Sequence, residues 1–318
     1  MARQDQILRR VLRPAPALAL LLLAGCDLFM PQTSPHPRAR PSGLGPPPVV
    51  TAPPRSVESA ELVVYYGLVA ENLQAEGKLR TDDGADIPVD AATLAQNFER
   101  IAFYEEHTRG RPGGPSPLSR WAGPVRIGTE FGPSVQARAR EHDQREVETF
   151  TRRLAGLTGH SITNVSRNAN LIVFFASLDD ADFLQSRLTR LVPGITDAER
   201  AVFRDLPRSY YCLVLAMSAA TDPYVYDRAV VLVRAEHPRL VRSACIHEEI
   251  AQGLGLPNDS PQARPSIFND DDEFALLTHH DEMLLQMLYD DRLQPGMTAD
   301  DARHIVRRMA DELVGPRG

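Results

Sequence analysis

Cys245-Ile-His247-Glu248-Glu249-Ile-Ala251-Gln252 concentrates more potential chemistry than any other stretch of the chain. A histidine followed directly by a glutamate on a helix is half of a zinc-binding pattern. In the full pattern a second histidine four residues on grips the same ion, and the glutamate polarises a metal-bound water. Here Ala251 stands at the second ligand position. His247 is then a metal ligand and Glu248 a general base only if other ligands come from elsewhere in the chain. Asp259 is the preferred second ligand, because a turn after Gly255 can fold it back toward His247, and Asn258 is its neighbour. Gln252, five residues after His247, sits about 140° away on a regular helix and comes beneath His247 only through a π-bulge. Glu249, Gln252 and Asp270 complete the residues expected to line this site.

A helix must present these groups. The pattern predicts one over about Arg239 to Leu254, with Gly255 as its stop. Leu240, Ala244, His247, Ala251 and Leu254 share one face, with Val241, Cys245, Glu248 and Gln252 beside them. The apolar stripe buries that face. An imidazole, a carboxylate and an amide buried without partners cost about 1–3 kcal/mol each. The three groups are therefore expected to converge on a metal, an internal polar network or a cleft, and the sequence leaves these alternatives open.

Around the site helix the chain reads as alternating elements. Helices are predicted over residues 59–76, over Ala91 to Glu106 behind Asp90 as N-cap, and over Asp143 to Leu157. Strands are predicted at Val125 to Glu130, Asn170 to Phe175, Tyr210 to Met217 and Ala229 to Arg234, the last two joined by a loop through Asp222-Pro223. Gly110 to Pro117 reads as a loop. Thr278 with Asp281, and Thr298 with Asp301, are capping-box signatures that open two final helices. This order implies an α+β (mixed α/β) fold: a sheet with a buried site helix and additional N- and C-terminal helices. His142 and His160 stand alone. His279 and His280 read as surface histidines at a helix start.

Asn258, Asp259, Asn269, Asp270, Asp271, Asp272 and Glu273 supply hard oxygen ligands suited to Ca²⁺. They lack the D-x-D-x-D-G spacing of a calcium loop, which favours a solvated acidic loop. No G-x-S-x-G elbow and no phosphate-binding glycine loop is present.

The N-terminus carries a different signal. Arg3, Arg9, Arg10 and Arg13 precede an apolar run from Ala15 to Gly25 that is too short to span a bilayer. Leu23-Ala24-Gly25-Cys26 follows, and this tetrapeptide resembles a bacterial lipobox. The resemblance implies a signal peptide over residues 1–25 and lipidation of Cys26. Nine of the 26 prolines fall between Pro31 and Pro54, so residues 26–58 read as a lipidated cysteine and a semi-extended tether. Residues 59–318 are long enough for one well-buried domain. Loss of residues 1–25 removes four arginines and one aspartate, which takes the formal charge from -7 to -10. So acidic a chain argues against nucleic acid as a partner. The remaining cysteines, Cys212 and Cys245, are even in number, and an oxidising compartment would pair them as a disulfide.

From Ala229 to Tyr289 the chain resembles the core of the zincin (metzincin-like) metallopeptidases. The matching parts are the strand Val230-Val-Leu-Val233, the His247-Glu248 helix stopped by Gly255, and a later helix opened by Leu277-Thr278-His-His-Asp281 and closed by Leu288-Tyr289. This implies a zincin-like sheet with an edge strand directly before the site helix. Over residues 59–318 the chain is also similar to a family of bacterial envelope lipoproteins, the domain of unknown function 2927. Trp121-Ala-Gly-Pro-Val-Arg-Ile-Gly, Cys245-Ile-His-Glu-Glu, Gln252-Gly-Leu-Gly-Leu, Pro265-Ser-Ile-Phe-Asn-Asp-Asp and Arg292-Leu-Gln-Pro-Gly-Met carry that similarity.

Together these readings lead to the expectation of a protein tethered through Cys26 to the membrane, with its domain in the periplasm and a degenerate site that binds or only supports structure. The alternatives are a divergent metal-dependent hydrolase or peptidase, with zinc as the candidate metal, acting on envelope peptides, and a calcium-stabilised interaction module; an envelope protein or peptide is the expected partner.

Overall fold

The computed structural model describes residues 52–315, apart from 109–110, 205, 220 and 270. The signal peptide, Cys26 and nearly all of the tether lie outside the described residues. Helix α1 (Val57–Ala75) starts two residues before the expected domain boundary, with the Ser56 hydroxyl capping the Ser59 amide. Helix α2 (Ala91–Ala102) is capped by Asp90 as expected, but it ends early. The chain then forms a hairpin of β1 (Tyr104–Thr108) and β2 (Arg111–Pro115), where the sequence suggested a helix end and a loop.

The main sheet contains β3 (Arg120–Trp121), β4 (Val125–Phe131), β5 (Ile162–Asn164), β6 (Leu171–Ala176), β7 (Cys212–Ala219) and β8 (Asp222–Arg234). Strands β5, β4, β6 and β8 lie side by side in parallel, and β7 folds back antiparallel on β8. The short β3 pairs with β8 at Val225 and Tyr226. Asp222-Pro223 is therefore the beginning of a long strand rather than a loop. The strand before the site helix is also not at the edge, because β7 covers its open side and takes the edge position itself.

A parallel sheet is covered on both faces, so its strands are apolar without alternation. Every residue of β6 is buried. Leu171, Val173 and Phe175, with Ala229, Val231 and Val233 of β8, face the main core. Ile172 and Phe174, with Val230 and Leu232, face a second cluster built on Leu184, Leu188, Val192 and Phe203. That second layer comes from α4 (Ala181–Leu191) and α5 (Asp197–Arg204), for which no helix was expected.

The main core is covered by α3 (Ala137–Thr158), α6 (Arg239–Gly255), α7 (His279–Leu288) and α8 (Ala299–Val314) together with α2. Helix α3 begins six residues earlier than the apolar periodicity suggests. Both capping boxes form: the Thr278 and Thr298 hydroxyls accept from the amides of Asp281 and Asp301. The fold class is thus the expected α+β, with helices on both faces of a mostly parallel sheet. Among the described residues, no helix is long and apolar enough to cross a membrane.

Cys212 and Cys245 form a disulfide, with Cα atoms 5.8 Å apart and a sequence separation of 33. It ties α6 to β7. Closing a loop of that length removes about 3–4 kcal/mol of unfolded-chain entropy. Unreduced protein is expected to show no titratable thiol at these two positions. A Cys212→Ser, Cys245→Ser variant is expected to lose about that stability in urea unfolding.

Candidate functional site

Helix α6 is held at both ends and along its length. Gly255 closes it at φ 129°, and a Cβ there would come within 2.5 Å of the Ser119 carbonyl oxygen. The last carbonyls of a helix have no partner within it. Here the Trp121 indole donates to the Gly253 carbonyl at 2.8 Å, and the Tyr289 hydroxyl donates to the Leu254 carbonyl at 2.9 Å. At the other end Pro238 is the N-cap, with no side-chain cap bond. Arg242 in the first turns donates to Asp143 of α3 at 3.0 Å and to the His237 carbonyl at 2.7 Å.

His247 is buried, with 7% of its surface exposed. Its Nδ1 accepts the backbone N–H of Leu277 at 3.0 Å. Its ring stacks on Phe150 of α3, with centroids 4.0 Å apart and planes 9° from parallel. Burial, reinforced by the Arg153 charge and only partly opposed by Asp281, pushes its pKa down to about 3. The ring is therefore neutral. With Nδ1 accepting, its hydrogen sits on Nε2.

A metal would require an unprotonated nitrogen. Nδ1 is occupied by Leu277, and Nε2 carries the hydrogen as long as that bond persists. The other expected ligands are engaged elsewhere. Asp259 accepts from the Gln252 amide at 3.1 Å, and the Asn258 amide donates to the carbonyls of Arg100 at 2.9 Å and Asp259 at 2.8 Å. The structure thus does not assemble a His247, Asn258 and Asp259 shell. His247 turns to Leu277 and Phe150, while Gln252 turns to Asp259. Glu249 is buried and Glu248 half-buried on the same helix. Among the described residues, no three His, Cys, Asp or Glu side chains are spaced to hold a metal ion. These donor sets do not fit zinc.

The acidic loop is similarly committed. Glu273 accepts from Arg264 and Arg80, and Arg264 above all holds its carboxyl below the usual range. Asp271 accepts the Glu273 amide at 2.9 Å, and the Asn269 amide donates to the Ala263 carbonyl at 2.8 Å. Asp270 lies outside the described residues. Arg80 and Arg264 together balance the charge of Glu273.

Two buried groups pin this loop to α7. Asp281, fully buried, accepts from the Ser266 hydroxyl at 2.5 Å, from the amides of Ile267 and Thr278 at 3.1 and 2.9 Å, and from the Thr278 hydroxyl at 2.8 Å. His280 is equally buried, with Nε2 3.1 Å from the Asn97 amide. It belongs to the core rather than the surface.

The open feature beside His247 is a groove of about 840 Å³ between α3 and α6. Its α3 wall is His142, Arg145, Glu146, Thr149, Phe150 and Arg153. Arg239, Leu240, Ser243 and His247 form the α6 wall, and Leu276 closes one side. Arg153 is oriented by Glu282 at 2.9 Å and by the Leu277 carbonyl at 3.1 Å. His142, isolated in sequence, belongs to this wall. Its Nδ1 lies 3.1 Å from Asp143 and 3.6 Å from Glu146. Neither Glu248 nor Gln252 lines the groove. The four-residue spacing of Arg145, Thr149 and Arg153 was the available signal for this wall, since it marks one polar helix face.

Fold and site define a mixed α+β protein with a buried, neutral histidine beneath a cationic groove. The family described as "Protein of unknown function (DUF2927)" matches residues 91–308, more than half of the chain, and the chain belongs to that family. No curated protein matches it.

His237, buried two residues before α6, is also pushed down to about 3, chiefly by burial. A histidine held neutral in the folded state and near 6.5 when unfolded stabilises fully above pH 6.5, and that stability drains away as pH falls toward 3. At pH 5 each of the two is expected to have given up about 2 kcal/mol. Urea unfolding at pH 7.5 and pH 5 measures this, and His247→Gln is expected to remove about half of the histidine share of the difference.

Proposed function

We propose that this chain is a lipid-anchored protein of the bacterial envelope whose zincin-like domain binds a ligand rather than cleaving one. The observation that carries the reading is the Leu277 N–H bonded to His247 Nδ1 at 3.0 Å. A histidine fixed in that tautomer serves as a structural acceptor, and the absence of a histidine at Ala251 agrees with it. The Gln252–Asp259 pair has the same character, with two polar groups satisfying each other instead of an ion.

The compartment rests on Leu23-Ala24-Gly25-Cys26 and the proline-rich stretch behind it. Several acyl chains on Cys26 would anchor the chain stably, at about 0.8 kcal/mol per buried CH₂. The Cys212–Cys245 disulfide suits an oxidising periplasm. A zincin-like scaffold is supported by the helix that follows β8, by its Gly255 stop, and by the later helix ending in Tyr289, whose hydroxyl reaches back to that helix.

Two measurements test this. Elemental analysis of untagged protein is expected to find no stoichiometric zinc, and chelator is expected to leave the melting temperature unchanged. Zinc at one equivalent that disappears in His247→Ala would overturn the binding reading in favour of a metallohydrolase. Cys26→Ser is expected to move the protein from the membrane fraction to the soluble periplasmic fraction, and unchanged membrane retention would sink the lipid anchor.

A further inference from the structure

We propose that the groove between α3 and α6 binds the C-terminal carboxylate of a peptide whose last side chain is apolar. This rests on the reading of the domain as a binding module and gives that module a site and a ligand class.

Charge comes first. In a chain that is acidic overall, the groove gathers Arg145, Arg153 and Arg239. Arg145 and Arg239 are exposed, and neither has an ion-pair partner among the described residues. Arg153 is already aimed by Glu282 and the Leu277 carbonyl, so it loses little freedom when it meets a ligand. Planar guanidinium groups match a carboxylate with two parallel hydrogen bonds.

Backbone geometry adds to this. Helix α6 begins at Arg239, on the groove wall, and no side chain caps it. That terminus lies eight residues, about 12 Å, along the helix from His247, so its dipole adds positive potential to the groove rather than a second contact to the same carboxylate.

An independent observation comes from His247. The ring is more than nine-tenths buried, lines the groove and has Nδ1 satisfied by Leu277. No acceptor for its remaining N–H, on Nε2, is found among the described residues, and that nitrogen is open to solvent in the groove. A neutral donor at the groove floor suits a carboxylate oxygen and needs no counter-charge.

The rest of the lining chooses between anions. Leu240 and Leu276, both half-buried, offer apolar surface next to the arginines, where a terminal side chain can pack. Glu146 places a negative charge at the His142 end, which a single carboxylate tolerates better than a phosphate dianion.

The test uses the mature protein and an N-terminally fluorescein-labelled peptide, Ala-Ala-Ala-Leu, read by anisotropy at low salt. The free acid is expected to bind, and amidation of its C-terminus is expected to weaken binding about tenfold or more. Arg145→Gln with Arg239→Gln is expected to weaken it by a similar factor while leaving the melting temperature unchanged, since both side chains are exposed. No binding of the free acid, equal binding of acid and amide, or full binding by the double variant would overturn the groove assignment. Binding that ignores the arginines would spare the wider binding reading, whereas metal-dependent cleavage of the peptide would overturn that reading too. Displacement by inorganic phosphate at lower concentration than by acetate would overturn the carboxylate in favour of a phosphate ligand.

Discussion

The hydrogen bond from the Leu277 amide to His247 decides what the centre of this molecule can be. It selects the tautomer, so the ring presents a donor where a metal would need a lone pair. It also joins α6 to the end of the long loop before α7. Both partners are buried, so breaking the bond would leave an amide and an imidazole nitrogen unpaired away from water, at a cost of about 1–3 kcal/mol each. The stacking of Phe150 on the same ring makes α3 part of the arrangement.

Helix α6 could not hold that bond if it were free to move. Its C-terminal carbonyls are taken by Trp121 and Tyr289, its Cys245 is bonded to β7, and its Arg242 is paired with buried Asp143. Asp281 does for the loop what these contacts do for the helix, because its two oxygens gather Ser266, Ile267 and Thr278. A groove between two elements fixed in this way is preorganised, which reduces the entropy lost when a ligand docks.

Several parts of this structure were legible in the chain. Thr278 with Asp281 and Thr298 with Asp301 are local signatures, and the helices start where those residues stand. The apolar run Leu171 to Phe175 reads as a buried strand, and every residue of that strand is buried. Gly255 stops the site helix because a side chain there would strike Ser119. Other parts were not legible. The hairpin at Tyr104–Pro115 carries glycine and proline that read as a loop, and only pairing between its strands defines it. Helices α4 and α5 are short, and their apolar residues become meaningful only against the second face of the sheet. His280 looks like a surface residue at a helix start until Asn97 of α2, far away in sequence, comes to cover it.

The sequence by itself determined the mixed fold class, the helix that carries His247 and Glu248, and the absence of a second histidine at Ala251. These depend on side-chain periodicity and identity within a few turns, which neighbours along the chain settle. Only the tertiary structure decided where the polar groups point. Gln252 meets Asp259, His247 meets Leu277 and Phe150, and Arg145 and Arg239 come to line one groove. The physical reason is that a buried polar group takes whichever partner packing brings within hydrogen-bond reach: His247 and Leu277 are 30 residues apart, and Gln252 and Asp259, seven apart, meet only because the chain turns back after the helix ends.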